Sequence, residues 1–312
     1  MPRIVIVQKP PVLLDRTQTI ARAASAAREA ADSGAELVVF PEAFVPGYPI
    51  WVWRLRPGSD MSLSERLHGQ LLANAVNLEG DELSPLYTAA RERKITVVCG
   101  VNERDATYSR STIFNTVIVI GPDGTLRNRH RKLMPTNPER MVWGLGDASG
   151  LNVDDTPVGR LGTLICWESY MPLARFALYA QGVEVYVAPT YDSGQRWLAT
   201  MQHVAREGAC WVLGSGFALR AGDLPRDLPG RAELYPNDDE WINPGDSVVV
   251  APNGKIFAGP LHEEYGVLSA DIDLERVGDA RRTLDVAGHY GRPDVFQLDV
   301  NRGPRKHVTF ST

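Results

Sequence analysis

Three observations in the 312-residue sequence predict an α/β fold, one domain built from two related halves. Short apolar runs that read as buried strands alternate with helical stretches whose apolar residues recur every three to four positions. The order strand, helix, strand, helix, strand, hairpin occurs twice, which favours two related sheets in one domain over two independent domains. The two hairpins also turn on similar tetrads, Gly121-Pro122-Asp123-Gly124 and Pro252-Asn253-Gly254-Lys255. Residues 1–280 are assigned to the single domain and 281–312 to an extended C-terminal tail.

In chain order, Ile4 to Val7 reads as the first strand. The next helix starts near Asp15 or Thr17, carries Ile20, Ala23, Ala24, Ala27 and Ala31, and stops at Gly34. Glu36 to Phe40 is an apolar strand that ends on Pro41-Glu42, which makes a βαβ unit with the first. Residues 43–79, rich in tryptophan and proline, read as irregular, with Pro46 to Trp53 either a loop wall over a pocket or part of a large surface loop anchored by its aromatic side chains. A helix from Ser84 to Lys94 and a strand from Ile95 to Gly100 follow, then a hairpin between Thr112 and Asn128. The second half opens with the strand Gly162 to Ile165. Pro172 then starts a helix with Leu173, Phe176, Ala177 and Ala180 on one face, stopped by Gly182. A strand from Val183 to Ala188, a helix around Trp197, Met201, Val204 and Ala205, and the strand Cys210 to Gly214 come next. Leu224 to Asn243 reads as a long surface excursion, Val248 to Ala251 as the first arm of the second hairpin, and Gly266 to Asp273 as a late strand.

Composition narrows the function. Hydrophobic residues make up 44% and charged residues 23%, as in ordinary globular proteins. A net charge of -5 gives no basis for a nucleic-acid partner or an anionic membrane surface. No run is long enough to span a bilayer, and the apolar start Ile4 to Val7 is too short for a signal peptide. Cys99, Cys166 and Cys210 are odd in number and lack metal-type spacing, so neither a disulfide framework nor a metal site is expected. The expected compartment is the cytoplasm.

Cys166 is the residue on which the chemistry turns. It sits in Leu164-Ile165-Cys166-Trp167-Glu168-Ser169-Tyr170, at a strand-to-helix junction where backbone N–H groups and the helix dipole favour a thiolate. A free cysteine is commonly a small buried hydrophobe, and Cys99, inside an apolar run, is read that way. The polar pair after Cys166 tips it toward a nucleophile. Such a nucleophile needs a base and a group to hold developing charge. His68, His130, His203, His262, His289 and His307 all lack an evident shaped setting. Glu42 and Lys132 instead end well-defined strands, where α/β folds gather reactive groups. Glu42 as base, Lys132 as electrostatic stabiliser and Cys166 as nucleophile make a coherent set; the alternative for Glu42 is an exposed strand-end carboxylate. The rest of the basic cluster, Arg127, Arg129, His130 and Arg131, is read as mostly a solvated face. Trp51, Trp53, Trp143, Tyr191 and Trp197 are candidate pocket walls and equally candidates for packing.

Phe40-Pro41-Glu42-Ala43-Phe44, Arg131-Lys132-Leu133-Met134-Pro135-Thr136 and Ile165-Cys166-Trp167-Glu168 resemble the three signature segments of the nitrilase, or carbon–nitrogen hydrolase, superfamily. Pro138-Glu139-Arg140, Tyr170-Met171-Pro172-Leu173-Ala174-Arg175, Gly245-Asp246-Ser247 and Gly288-His289-Tyr290-Gly291-Arg292-Pro293-Asp294 extend the resemblance to its nitrile-hydrolysing branch, plant-type members included. The resemblance implies an α-β-β-α sandwich that pairs into a four-layer dimer and often into larger spirals. It implies a Glu42–Lys132–Cys166 triad, Glu139 as a second carboxylate near the site, no cofactor, and a small-molecule nitrile as substrate. The expected reaction gives the acid and ammonia through a thioimidate and a thioester. An amidase, or a hydratase that stops at the amide, would share the triad, and a catalytically silent binding protein is the alternative from another class. Trp167 beside the nucleophile is typical of nitrile hydrolysers and joins Trp53, Tyr191 and Trp197 as a candidate substrate contact. Ser169 departs from the more usual Asn or His, which bears on pocket shape and on the ratio of acid to amide.

Overall fold

The computed structural model of the chain describes residues 1–306, 308 and 311; His307, weighed above as a base, lies outside them. Strand β1 (Arg3–Gln8) leads into helix α1 (Arg16–Asp32), whose N-cap Asp15 accepts the Gln18 N–H, and β2 (Leu37–Val39) returns parallel to β1. Helix α2 (Met61–Asn74) and helix α3 (Ser84–Arg93) precede β3 (Thr96–Arg104), parallel to β2, and the antiparallel hairpin β4 (Ile113–Ile120) and β5 (Leu126–Arg131) closes the first half.

The second half repeats this plan. After the short strand β6 (Val153–Thr156), β7 (Gly159–Thr163), α4 (Pro172–Tyr179), β8 (Val185–Thr190), α5 (Gln195–Gly208) and β9 (Trp211–Gly216) form the parallel part. Past β10 (Ala218–Arg220) and α6 (Arg231–Leu234), the antiparallel pair β11 (Trp241–Val250) and β12 (Ile256–His262) completes it. Strand β13 (Gly266–Asp271) crosses back to pair with β1, and α7 (Glu275–Thr283) follows. The sheets have the orders β13-β1-β2-β3-β4-β5 and β10-β11-β9-β8-β7-β6, with β12 on β11.

Strand alternation builds the layers. On β1, Val5 and Val7 pack under α1 and α3, whereas Ile4 and Ile6 face the second sheet. On β9, Val212 packs under α4 and α5 while Leu213 faces the first sheet. Both faces are buried, so the strands read as continuous apolar runs rather than alternating ones. The result is the α-β-β-α sandwich. Each fully buried Val or Ile in these layers contributes about 1.5–3 kcal/mol from surface removed from water.

Four local expectations are corrected. The stretch 43–79 holds α2 and a 3-10 turn at Ile50–Trp53; only Leu67 and Leu71 of α2 are buried, so its apolar stripe is too narrow to announce a helix. On α4 the inward face is Ala174, Ala177, Leu178 and Tyr179, with Leu173 66% exposed. The rotation lets Arg175 pair with Glu207 at 2.7 Å. Leu224 to Asn243 is not a free excursion, because Leu224, Leu228 and Tyr235 are buried and β11 already begins at Trp241. Arg281 to Thr283, placed in the tail, belong to α7, and beyond it Val286, Ala287 and Leu298 pack on the outer core of the second half. Among the described residues no helix is long and apolar enough to cross a membrane.

Candidate active site

Glu42 follows β2 through Phe40-Pro41, whose backbone is tied to β3 by the Phe40 N–H to Val98 O bond of 2.8 Å. Gly100 on β3 makes this approach possible, since a Cβ there would lie 2.3 Å from Pro41 O and 2.5 Å from Ala43 N. The carboxylate is fully buried rather than exposed. Its Oε1 accepts from Lys132 Nζ and from Asn115 Nδ2, both at 2.7 Å, and its Oε2 accepts from the Tyr191 N–H at 2.7 Å.

Lys132 leaves the end of β5 with its N–H bonded to Asn115 O at 2.8 Å, and Gly146 admits this strand end because a Cβ would meet Arg131 O at 2.3 Å. The ammonium bridges Glu42 and Glu139 Oε2, the latter at 2.8 Å. Glu139 sits in a 3-10 turn, Asn137–Met141, which its own Oε2 caps through the Thr136 N–H at 2.6 Å. Its Oε1 accepts from Tyr48 Oη at 2.6 Å, and Tyr48 in turn accepts from Trp53 Nε1 at 3.1 Å. Glu139 is therefore at once a turn cap and a partner of Lys132.

Two buried carboxylates share one ammonium, which leaves an excess negative charge when both are ionised. Burial raises the proton affinity of Glu42, with Lys132 opposing it and Glu139 adding to it. Burial works against the charged Lys132, yet Glu42, Cys166 and Glu139 outweigh it and hold the ammonium above its usual range. Burial also pushes the Cys166 thiol up, and Glu42 reinforces this while Lys132 offsets part of it. Burial and Glu42 thus work against the thiolate that the strand-to-helix junction favours, and Cys166 lies in the field of a carboxylate whose own proton affinity is raised. That is the pairing a general base requires.

Cys166 occupies a left-handed backbone conformation, φ 53°, at the start of the 3-10 turn Cys166–Tyr170, a disfavoured geometry for a non-glycine residue. A buried network fixes the turn. Glu168 accepts the Ile165 N–H at 2.6 Å and the Leu133 N–H at 2.7 Å, and both its oxygens lie 3.0–3.1 Å from His130 Nε2. Burial alone would raise Glu168, but His130 and these backbone donors hold it below the ordinary value. The residues flanking Lys132 and Cys166 are thereby tied to one carboxylate. The reading of the basic cluster as a solvated face holds for Arg127, which pairs with exposed Asp123, but not for its neighbours. His130 is buried, and Arg129 and Arg131 each reach buried Glu103 through Nε at 3.0 Å.

The candidate wall residues divide. The Tyr191 ring stacks on Tyr48 with centroids 3.8 Å apart, and Trp53 lies parallel to Tyr191 at 6.4 Å. Trp143 stands with its ring 5.9 Å from Lys132 Nζ. Trp167 is half exposed beside Cys166 and donates through Nε1 to Asp192 at 2.9 Å. Trp51 and Trp197 are fully buried in separate cores. Ser169 turns inward, with its hydroxyl 3.0 Å from Tyr186 Oη. Sequence reasoning passed over Asn115, Thr190 and Asp192. A polar Asn115 inside the apolar strand Ile113 to Ile120 was the available signal, since a buried amide needs partners. Among the described residues no three His, Cys, Asp or Glu side chains are grouped to hold a metal.

The sandwich and its buried carboxylate–lysine–thiol group define a class, and the comparisons agree on it. The chain belongs to the carbon-nitrogen hydrolase family, whose sequence profile matches residues 3–282. It is 40% identical to an aliphatic nitrilase of Sinorhizobium fredii (strain HH103), over 98% of this chain and 97% of that protein. It is 39% identical to the bifunctional nitrilase/nitrile hydratase NIT4A of Lupinus angustifolius, over 99% of this chain and 89% of the relative. The crystal structure of Saccharomyces cerevisiae Nit3, a member of branch 10 of the nitrilase superfamily, shares the fold. Its TM-score is 0.70 at 22% identity, over 93% of this chain and 96% of the other.

Proposed function

We propose that the protein is a nitrilase that converts an organic nitrile to its carboxylic acid and ammonia. The observation that carries this reading is the buried Lys132 ammonium held between Glu42 and Glu139, with the Cys166 thiol in its field. Near-full-length identity to proteins named nitrilases supports it. Cys166 Sγ adds to the nitrile carbon as its proton passes to Glu42, which delivers it to the nitrile nitrogen to give a thioimidate. Lys132 stabilises negative charge developing on that nitrogen. Glu42 then takes a proton from water as the water oxygen adds to the thioimidate carbon and delivers it to the nitrogen, and the proton of the new hydroxyl passes by the same carboxylate to that nitrogen as the C–N bond breaks, ammonia leaves and the thioester carbonyl forms. A second water cleaves the resulting thioester and restores the thiol.

The parallel rings of Tyr48, Tyr191 and Trp53, wired to Glu139 and Glu42, support an aryl or arylalkyl substituent on the nitrile. The test is ammonia release across aromatic, arylacetic, aliphatic and amino-acid-like nitriles and their amides, with acid and amide quantified separately. Acid with ammonia from nitriles is expected, fastest for aryl substituents. Turnover of amides alone would move the protein to the amidases. A hydratase is the second reading, because the Lupinus relative is named for both activities, and a predominantly amide product would establish it. Absence of turnover together with an inert Cys166 would favour a binding protein. The proposed compartment is the cytoplasm, supported by three free, buried cysteines.

We further propose a homo-oligomer, supported by apolar side chains left open on one face. Leu173 of α4 is 66% exposed and Phe296 of the C-terminal segment 77%, along one groove that also includes Tyr290 and Val295. Charging this face in a Leu173→Glu/Phe296→Glu double variant is expected to leave the chain folded but shift it to a smaller species in sedimentation velocity. An unchanged sedimentation profile would exclude the face as an interface.

A further inference from the structure

We infer that the Thr190 hydroxyl is a catalytic group that donates a hydrogen bond to Cys166 Sγ, orienting the sulfur and stabilising it as its proton leaves. The inference rests on Cys166 being the nucleophile. Thr190 ends β8 and is fully buried. A hydroxyl has one proton and two acceptor sites. The Asp192 N–H donates to Oγ1 at 2.8 Å and fills one of those sites, which leaves the hydroxyl proton as the group with a choice. Within its reach are Cys166 Sγ at 3.3 Å and the Asp192 carbonyl at 3.4 Å.

The choice depends on the state of the sulfur. A neutral thiol is a weak acceptor, comparable with the strained contact to the carbonyl two residues on. A sulfur gaining negative charge is a far better one, because hydrogen bonds to ionised acceptors are about twice as strong. The Thr190 proton therefore swings to Sγ as charge develops, and the bond tightens where it lowers the barrier rather than in the resting enzyme. No proton is transferred from Thr190: the S–H proton goes to Glu42, the S–C bond forms, and the hydroxyl keeps its hydrogen. The next residue completes the arrangement, since the Tyr191 N–H holds Glu42 Oε2 at 2.7 Å. One turn after β8 thus touches both base and nucleophile. It occupies the place that Pro41-Glu42 occupies after β2 in the first half, so the two equivalent loops meet across the site.

The experiment measures the pH dependence of Cys166 alkylation by iodoacetamide on the full chain, alongside steady-state kinetics. Thr190→Val, Thr190→Ser and the parent are compared, with Cys166→Ala as the blank for buried Cys99 and Cys210. In Thr190→Val the alkylation midpoint is expected to rise by about one pH unit and the neutral-pH rate to fall about tenfold, with kcat reduced and KM little changed. Thr190→Ser, which keeps the hydroxyl, should stay within about threefold of the parent. Thr190→Ala repeats the measurement if the valine variant does not fold. A Thr190→Val profile superimposable on the parent, or a serine variant as impaired as the valine one, would overturn the role of the hydroxyl while leaving the nucleophile in place. An unreactive Cys166 in the parent would instead overturn the nucleophile reading, and this inference with it.

Discussion

Lys132→Met is expected to lower the stability of the fold by about 3–5 kcal/mol at neutral pH, in addition to abolishing turnover. The side chain is buried and its ammonium is the partner of both Glu42 and Glu139. Methionine fills the volume and removes the charge, which leaves two facing carboxylates with Asn115, Tyr48 and backbone N–H groups as their remaining donors. Without the ammonium, burial and the neighbouring Glu139 raise the proton affinity of Glu42 unopposed, so the folded variant takes up a proton that the unfolded chain would not hold. Groups whose folded-state proton affinity is raised stabilise the fold at low pH, and that stabilisation is lost as pH rises. The deficit of the variant is therefore expected to shrink on acidification and widen toward neutrality. Urea unfolding of parent and variant at several pH values measures this. A constant deficit across that range would mean that the loss is one of packing alone.

Cys166→Ala is expected to reduce nitrile turnover by roughly five orders of magnitude or more while leaving stability within about 1 kcal/mol of the parent. The contrast with Lys132 follows from the surroundings. The thiol donates no hydrogen bond on which the fold depends, and Glu168, not Cys166, ties the turn to Ile165 and Leu133. Ammonia release paired with thermal unfolding checks both halves of the expectation. Residual turnover near the parental rate would mean that the nitrile carbon is attacked by something other than this sulfur.

The layered fold was legible because strands buried on both faces leave unbroken apolar runs such as Ile4 to Val7, and because the order of elements repeats. Helix α2 was not, since its stripe of Leu63, Leu67 and Leu71 is one residue wide, fully buried only at Leu67 and Leu71, and follows a stretch dominated by tryptophan and proline. In the site, Glu42, Lys132 and Cys166 stood out as reactive side chains at segment ends. Their charge states did not, because each is set by groups distant in sequence. The local strand-to-helix junction favours a thiolate, whereas burial and Glu42, distant in sequence, push the thiol's proton affinity up. The His130–Glu168 pair was invisible for a related reason: a histidine inside a run of arginines looks solvated until a carboxylate from the other half is placed against it.

That division between the halves has a mechanical consequence. Glu42, Lys132 and Glu139 are carried by the first half, Cys166 and Thr190 by the second, and the layer between the sheets is a buried apolar cluster that includes Val39, Val98, Val187 and Leu213. The spacing between Glu42 and Cys166 thus follows from how the two packed sheets are aligned. Substitutions that thicken or thin this interlayer displace one sheet against the other and detune activity before they unfold the protein. Equally disruptive changes in the clusters under the outer helices are expected to lower the melting point with a smaller effect on turnover.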